Sequence, residues 1–201
     1  MTWRQYHDIK YRIMGMLRHG LPQDIYYHTP AHTLDVMISA ESIAVNEGIT
    51  DETELMKLRI ATLFHDTGFM LSKIDHERFS CDIARKELAD VITDPGEMDE
   101  ICDLIMATMI PQSAKSRLAM VICDADLDYL GRKDYYEIAE TLKNEYMKQG
   151  LVESEIQWFR MQIKFMKSHQ YFTATCRNLR EPQKQKRIAE LEAKLAELEA
   201  A

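Results

Sequence analysis

Apolar residues return every three or four positions along most of this chain. Between Thr2 and about Arg18 they are Trp3, Tyr6, Ile9, Ile13, Met14 and Leu17, which share one side of a helix. Gly20 and Pro22 close that helix. Pro30 marks the next start, since proline lacks an N–H that a first-turn position would leave unpaired, and the hydroxyl of Thr29 before it can accept from a neighbouring one. This second helix is predicted from about Pro30 to Asn46, with its end at Gly48. Thr50-Asp51-Glu52-Thr53-Glu54 opens a third, because acidic side chains suit the positive end of the helix dipole. It turns Leu58, Ile60, Ala61, Leu63 and Phe64 inward and stops at Gly68. Helical spacing continues over about 75–90, 95–109, 113–127, 133–148 and 153–180. No alternating β-branched run and no Asn-Gly or Asp-Gly turn interrupts it, so the predicted fold is all-α.

Past Pro182 the pattern narrows. Ile188, Leu191, Leu195 and Leu198 alternate three- and four-residue steps among Glu and Lys, a heptad seam only about two heptads long. Residues 1–181 are read as one domain and 182–201 as a charged helix, either simply solvated or a route to a homo-oligomer.

Composition narrows the function classes. A chain of 201 residues, 46% hydrophobic and 29% charged, buries one core. Its net charge of -8 argues against a general grip on nucleic acid, which needs Lys and Arg to neutralise phosphates. A small anionic substrate would then need a cation to attract it. Cys81, Cys102, Cys123 and Cys176 form no CxxC pair, which fits a reduced compartment better than a disulfide framework. No run of roughly 18 apolar residues occurs and the first residues carry no secretory pattern; the expected location is the cytoplasm, away from membranes.

The chemistry concentrates in three places. In ATLFHDTGF, His65 and Asp66 are bracketed by apolar residues, and a buried carboxylate needs a cation or hydrogen-bond donors. A plain structural His-Asp pair would also satisfy it. His28 and His32 are four apart, but with Thr29 as cap His28 falls outside the helix and His32 in its first turn. One imidazole can then bind metal while the other transfers a proton. Asp124, Asp126 and Asp128 alternate just after an apolar helix, a density of like charge that favours a cation for one of them.

These segments together resemble the HD superfamily of metal-dependent phosphohydrolases. YHTPAHTLDV is similar to the opening motif of class I cyclic-nucleotide phosphodiesterases and bacterial HD proteins, ATLFHDTGF to the HD helix itself, and VICDADLDYLG to the segment that supplies the last Asp. The likeness runs from about Tyr27 to Arg180. It implies an HD helical bundle in which His32, His65, Asp66 and Asp126 hold a divalent metal ion, Asp124 is the second choice for the last ligand, and His28 is the general acid. His76 is the implied contact to substrate phosphate or to a second cation; Lys73, Arg78 and Arg132 are candidate phosphate contacts or simply solvated surface cations. Two departures bear on substrate. Phe69 stands where the phosphodiesterases have another histidine, and where related proteins with several metals have a lysine, which leans toward one metal. The purine-clamping glutamine and aromatic of the phosphodiesterases have no counterpart read from the sequence.

Mixed imidazole and carboxylate ligands suit Mn, Fe, Ni, Co or Zn better than Mg. The expected activity is hydrolysis of a phosphate ester of a nucleotide or another small molecule, with a metal-activated water as nucleophile, Asp66 or Asp126 orienting or deprotonating it, and His28 protonating the departing oxygen. The alternative is a non-catalytic HD module that binds a nucleotide or a protein partner.

Overall fold

The computed structural model describes residues 1–200, and among these it is helical without strands. Ten α-helices follow in order: α1 (Trp3–Gly20), α2 (Pro30–Asn46), α3 (Glu52–Phe64), α4 (His76–Leu88), α5 (Pro95–Ala107), α6 (Arg117–Asp126), α7 (Tyr135–Lys148), α8 (Glu155–Ser168), α9 (Ala174–Leu179) and α10 (Glu181–Ala200). Two short 3-10 turns, Thr67–Met70 and Asp128–Gly131, sit beside the chemistry-bearing residues. No described helix is long and apolar enough to cross a membrane.

The helix starts obey local rules. Thr2 and Gln5 cap α1 reciprocally, and the Asp51 carboxylate accepts from the Thr53 and Glu54 amides at the head of α3. Thr29 is the cap residue of α2, but its hydroxyl makes no capping bond; Pro30 alone sets the start. Gly48, at φ 71°, ends the passage out of α2 in the left-handed conformation that glycine adopts without strain.

Three boundaries differ from the sequence expectation, the simplest being α6, which starts at Arg117 behind the Ser116 cap instead of at Ser113. Helix α3 stops at Phe64, so His65 and Asp66 lie in a turn before the 3-10 segment instead of inside a continuous helix. The helix expected over 153–180 is broken at 169–173. There the Asp124 carboxylate accepts from the Phe172 and Thr173 amides at 2.8 Å and from the Thr173 hydroxyl at 2.6 Å, and the chain restarts as α9.

Burial divides into two clusters that meet at the site. One joins α1 to α6 around Ile13, Leu58, Phe64, Ile101, Ile105 and Ile122. The other gathers Tyr27, Tyr129, Tyr135, Trp158, Met166, Ile188 and Leu191 from the α2 approach, α7, α8 and α10. Helix α2 packs on α3 and α6, and α10 packs along α8. The heptad residues Ile188 and Leu191 are thus buried within the chain, each side chain contributing roughly 1.5–3 kcal/mol on burial.

Candidate functional site

Four side chains from three places in the fold converge. His32 comes from the first turn of α2, His65 and Asp66 from the turn after α3, and Asp126 from the last position of α6. The Nε2 atoms of His32 and His65 stand 3.4 Å apart. Asp66 Oδ2 lies 3.3 Å from the first and 3.2 Å from the second, and Asp126 Oδ1 lies 3.3 and 3.6 Å from them. Donors sharing one cation at about 2.1 Å stand roughly 3.0–3.4 Å from each other, so the spacing suits a common ion.

Hydrogen bonding prepares the set for a cation. His65 Nδ1 donates to the Thr62 carbonyl at 2.8 Å, which fixes the tautomer and leaves Nε2 a lone pair directed at the cluster. Asp66 is 4% exposed, and its Oδ2 has no hydrogen-bond partner. A buried carboxylate oxygen facing two imidazole nitrogens without a donor is the atom a metal would satisfy, and His32, His65 and Asp66 form a group whose ligand atoms all lie within 4.8 Å. The residues fit a divalent ion.

The charges are tightly interdependent. Burial opposes the imidazolium form of His32 and His65, yet Asp66 and Asp126 outweigh it and hold both above the ordinary value, His65 well above. Burial likewise works against the ionised carboxylates, but the histidines hold Asp66 well below the usual range and Asp126 at about 2. Each imidazole–carboxylate contact thus favours the charged form of both partners, the electrostatic need that a cation would meet.

A cavity of about 220 Å³ opens on this cluster. Asp66 and Asp126 line it together with His28, His76 and Glu77, while Tyr129, Leu142, Tyr146, Met161 and Phe165 form apolar walls. His28 lies outside α2, as its place before the cap predicts. Its Nδ1 is 2.6 Å from Glu145 Oε1, and the other Glu145 oxygen accepts from the amides of Tyr26, Tyr27 and His28 at 2.9, 2.8 and 3.3 Å. Glu145 is only 1% exposed; burial opposes its charge, but His28 and these amides keep its pKa below the usual carboxylate range. His76 Nε2, on the other side of Asp66, is 3.4 Å from both Asp66 Oδ1 and Glu77 Oε1. Phe69 stacks on His28 at 4.1 Å and on His76 at 4.0 Å between ring centroids.

Gly68 makes this closeness possible. A Cβ there would fall 1.9 Å from the His76 carbonyl oxygen and 2.9 Å from the Ser80 amide nitrogen. Ser80 reinforces the contact, accepting from the Gly68 amide at 2.8 Å and donating to the His65 carbonyl at 2.7 Å.

Other named residues are placed elsewhere. Asp124 is fully buried, but it serves the start of α9 and does not join the cluster. Asp128 is held by Arg180 at 2.6 Å. Lys73 is not brought to the cavity; its ammonium pairs with Asp24 at the surface. Arg132 binds Asp35 and Asp134, and neither it nor Arg78 lines the cavity.

Three residues at or behind the cavity escape sequence reasoning. Glu145 is 117 positions from His28 in a helix whose pattern marks it only as one polar residue among several. Gln162 and Phe165, one turn apart on α8, both line the cavity, and Gln162 is 3% exposed with its Oε1 unpartnered.

Residues 30–128 match the family model of the HD domain, a stretch that opens at the first residue of α2 and closes just past Asp126. No curated protein is similar enough to the chain to match it. With His32, His65 and Asp66 brought together inside the matched stretch and Asp126 beside them, residues 30–128 are an HD domain, a fold of the metal-dependent phosphohydrolase type.

Proposed function

We propose that the protein is a metal-dependent phosphohydrolase acting on a small phosphate ester, with a nucleotide as the favoured substrate class. The observation that carries this reading is the unpartnered, buried Asp66 oxygen facing His32 and His65 at the edge of a cavity that also presents His28. His32, His65, Asp66 and Asp126 would hold the ion, and mixed N/O ligation favours Mn, Fe, Ni, Co or Zn over Mg. When bound, a divalent cation supplies a Lewis acid for the phosphoryl group and makes a neighbouring water more acidic.

The chain's own residues supply the remainder. The Glu145 carboxylate takes the hydrogen bond of His28 Nδ1, so the ring is fixed and Nε2 is the nitrogen left to hold a proton for the departing oxygen. His76 stands beside Asp66 as a donor to phosphate oxygens. The walls suit the rest of the ester. Tyr146, Phe165, Leu142 and Met161 offer an apolar slot, and the Gln162 amide provides both a donor and an acceptor to the edge of a flat heterocycle.

The test pairs elemental analysis of the purified protein with product formation across nucleotides and generic phosphate esters. Stoichiometric metal and chelator-sensitive turnover, with Gln162→Ala raising KM for nucleotides more than for a generic ester, is the expected result. Bound metal without turnover of any ester would favour the binding module instead. A chain that holds no metal after reconstitution would return His65-Asp66 to a structural pair.

A further inference from the structure

Two of the four cysteines meet. Cys81 lies in the middle of α4 and Cys102 in the middle of α5, helices that pack on each other. The Cys81 thiol sits 3.6 Å from the Cys102 carbonyl oxygen. Both are shallow, at 8% and 6% exposure, whereas Cys123 and Cys176 are sealed in the core at 0% and 1%. Arg85, one turn beyond Cys81, reaches Asp99 at 2.7 Å and places its guanidinium near Cys102.

We propose that Cys81 and Cys102 are a peroxide-sensitive pair that closes to a reversible disulfide and staples α4 to α5. Cys102 is the attacking sulfur: contact with the Cys81 side chain and the Arg85 guanidinium that Asp99 holds nearby favour its thiolate, while Cys123 and Cys176 lie deeper and burial pushes their thiols up. Its thiolate attacks one oxygen of hydrogen peroxide; the O–O bond breaks, giving the sulfenic acid and, with a proton, one water. The Cys81 sulfur then attacks the sulfenic sulfur, the S–O bond breaks, and a second water leaves with the Cys81 proton. In sum, two thiols and one peroxide give one disulfide and two waters.

The staple is close to the cavity in the fold. Helix α4 begins with His76 and Glu77, which line the cavity, and its Ser80, next to Cys81, ties the Gly68 amide and the His65 carbonyl. Fastening α4 to α5 therefore fastens the helix that buttresses the His65-Asp66 turn. The inference does not depend on what the site hydrolyses.

The full chain, with its metal as purified, is treated with hydrogen peroxide, alkylated, and analysed by intact mass and peptide mapping. The expected result is a loss of two hydrogens, one cross-linked peptide pair containing Cys81 and Cys102, reversal by dithiothreitol, and a higher thermal midpoint for the oxidised form. Cys81→Ser and Cys102→Ser should each abolish the cross-link and Cys123→Ser should not, with circular dichroism separating loss of the bond from loss of the fold. A different cysteine pair, over-oxidation of Cys102 without a cross-link, an oxidised chain that melts no higher, or untouched thiols where free glutathione in the same tube is oxidised would overturn the proposal.

Discussion

Glu145 on α7 holds His28 at 2.6 Å across 117 residues of chain, and its second oxygen gathers the amides of the segment that carries His28. The carboxylate thus fixes both the ring and the backbone that presents it. Glu145→Gln should lower turnover on the order of ten- to a hundredfold with metal content unchanged. It should also cost about 2 kcal/mol of stability, since charge-assisted bonds become neutral ones. Combining it with His28→Ala should add little further loss of turnover, because both act through one ring. Additive losses in steady-state kinetics would show that Glu145 works separately.

Ligands and acid should separate cleanly in metal analysis. His65→Ala or Asp66→Ala should empty the site, while His28→Ala should keep its metal and lose roughly a hundredfold or more in turnover. Unchanged metal content in either of the first two variants would remove the four-ligand assignment.

The pH dependence of stability should depend on metal. In the metal-free chain His32 and His65 titrate above their ordinary 6.5, so their contribution is complete below about that pH and is lost as pH rises through the raised values. Asp66 and Asp126 titrate below their ordinary 3.8, so theirs is present above that pH and is lost as pH falls through the lowered values, about 2 for Asp126. The metal-free chain should therefore be most stable between these limits and soften at alkaline pH. A bound cation displaces the imidazole protons, so the metal-loaded chain should keep its melting temperature there and shed its ion on acidification. Melting curves with chelator and with Mn(II) that run parallel from about pH 4 to pH 9 would contradict this.

Gly68→Ala forces a methyl group into the His76 carbonyl oxygen. The expected loss is about 3 kcal/mol or more, a fall in melting temperature of roughly 6–12 °C for a chain this size. A scanning calorimetry trace within about 2 °C of the parent would mean that α4 can move aside.

What the sequence revealed was what neighbouring residues decide. Pro30, Asp51 and Gly48 mark helix ends because caps and breakers act within a turn, and His32, His65-Asp66 and Asp126 stand out because each sits in its own distinctive local setting. The break at 169–173 was hidden because the carboxylate that causes it, Asp124, is 48 positions upstream of Phe172 and no Gly or Pro marks the spot. Glu145 and Gln162 were hidden for the same reason. Each is an ordinary polar residue on an amphipathic helix, and only the docking of α7 and α8 against the approach to α2 gives it a role.

Phe69 has a further consequence for redesign. Its ring fills the ground between His28 and His76 with carbon, and carbon offers a cation no lone pair. A second ion would find Asp66 Oδ1, His76 and Glu77 together on the far side of Asp66. The nuclearity of the proposed centre is therefore open to change at a single position: Phe69→His would exchange a spacer for a ligand without touching the four residues proposed to hold the first ion.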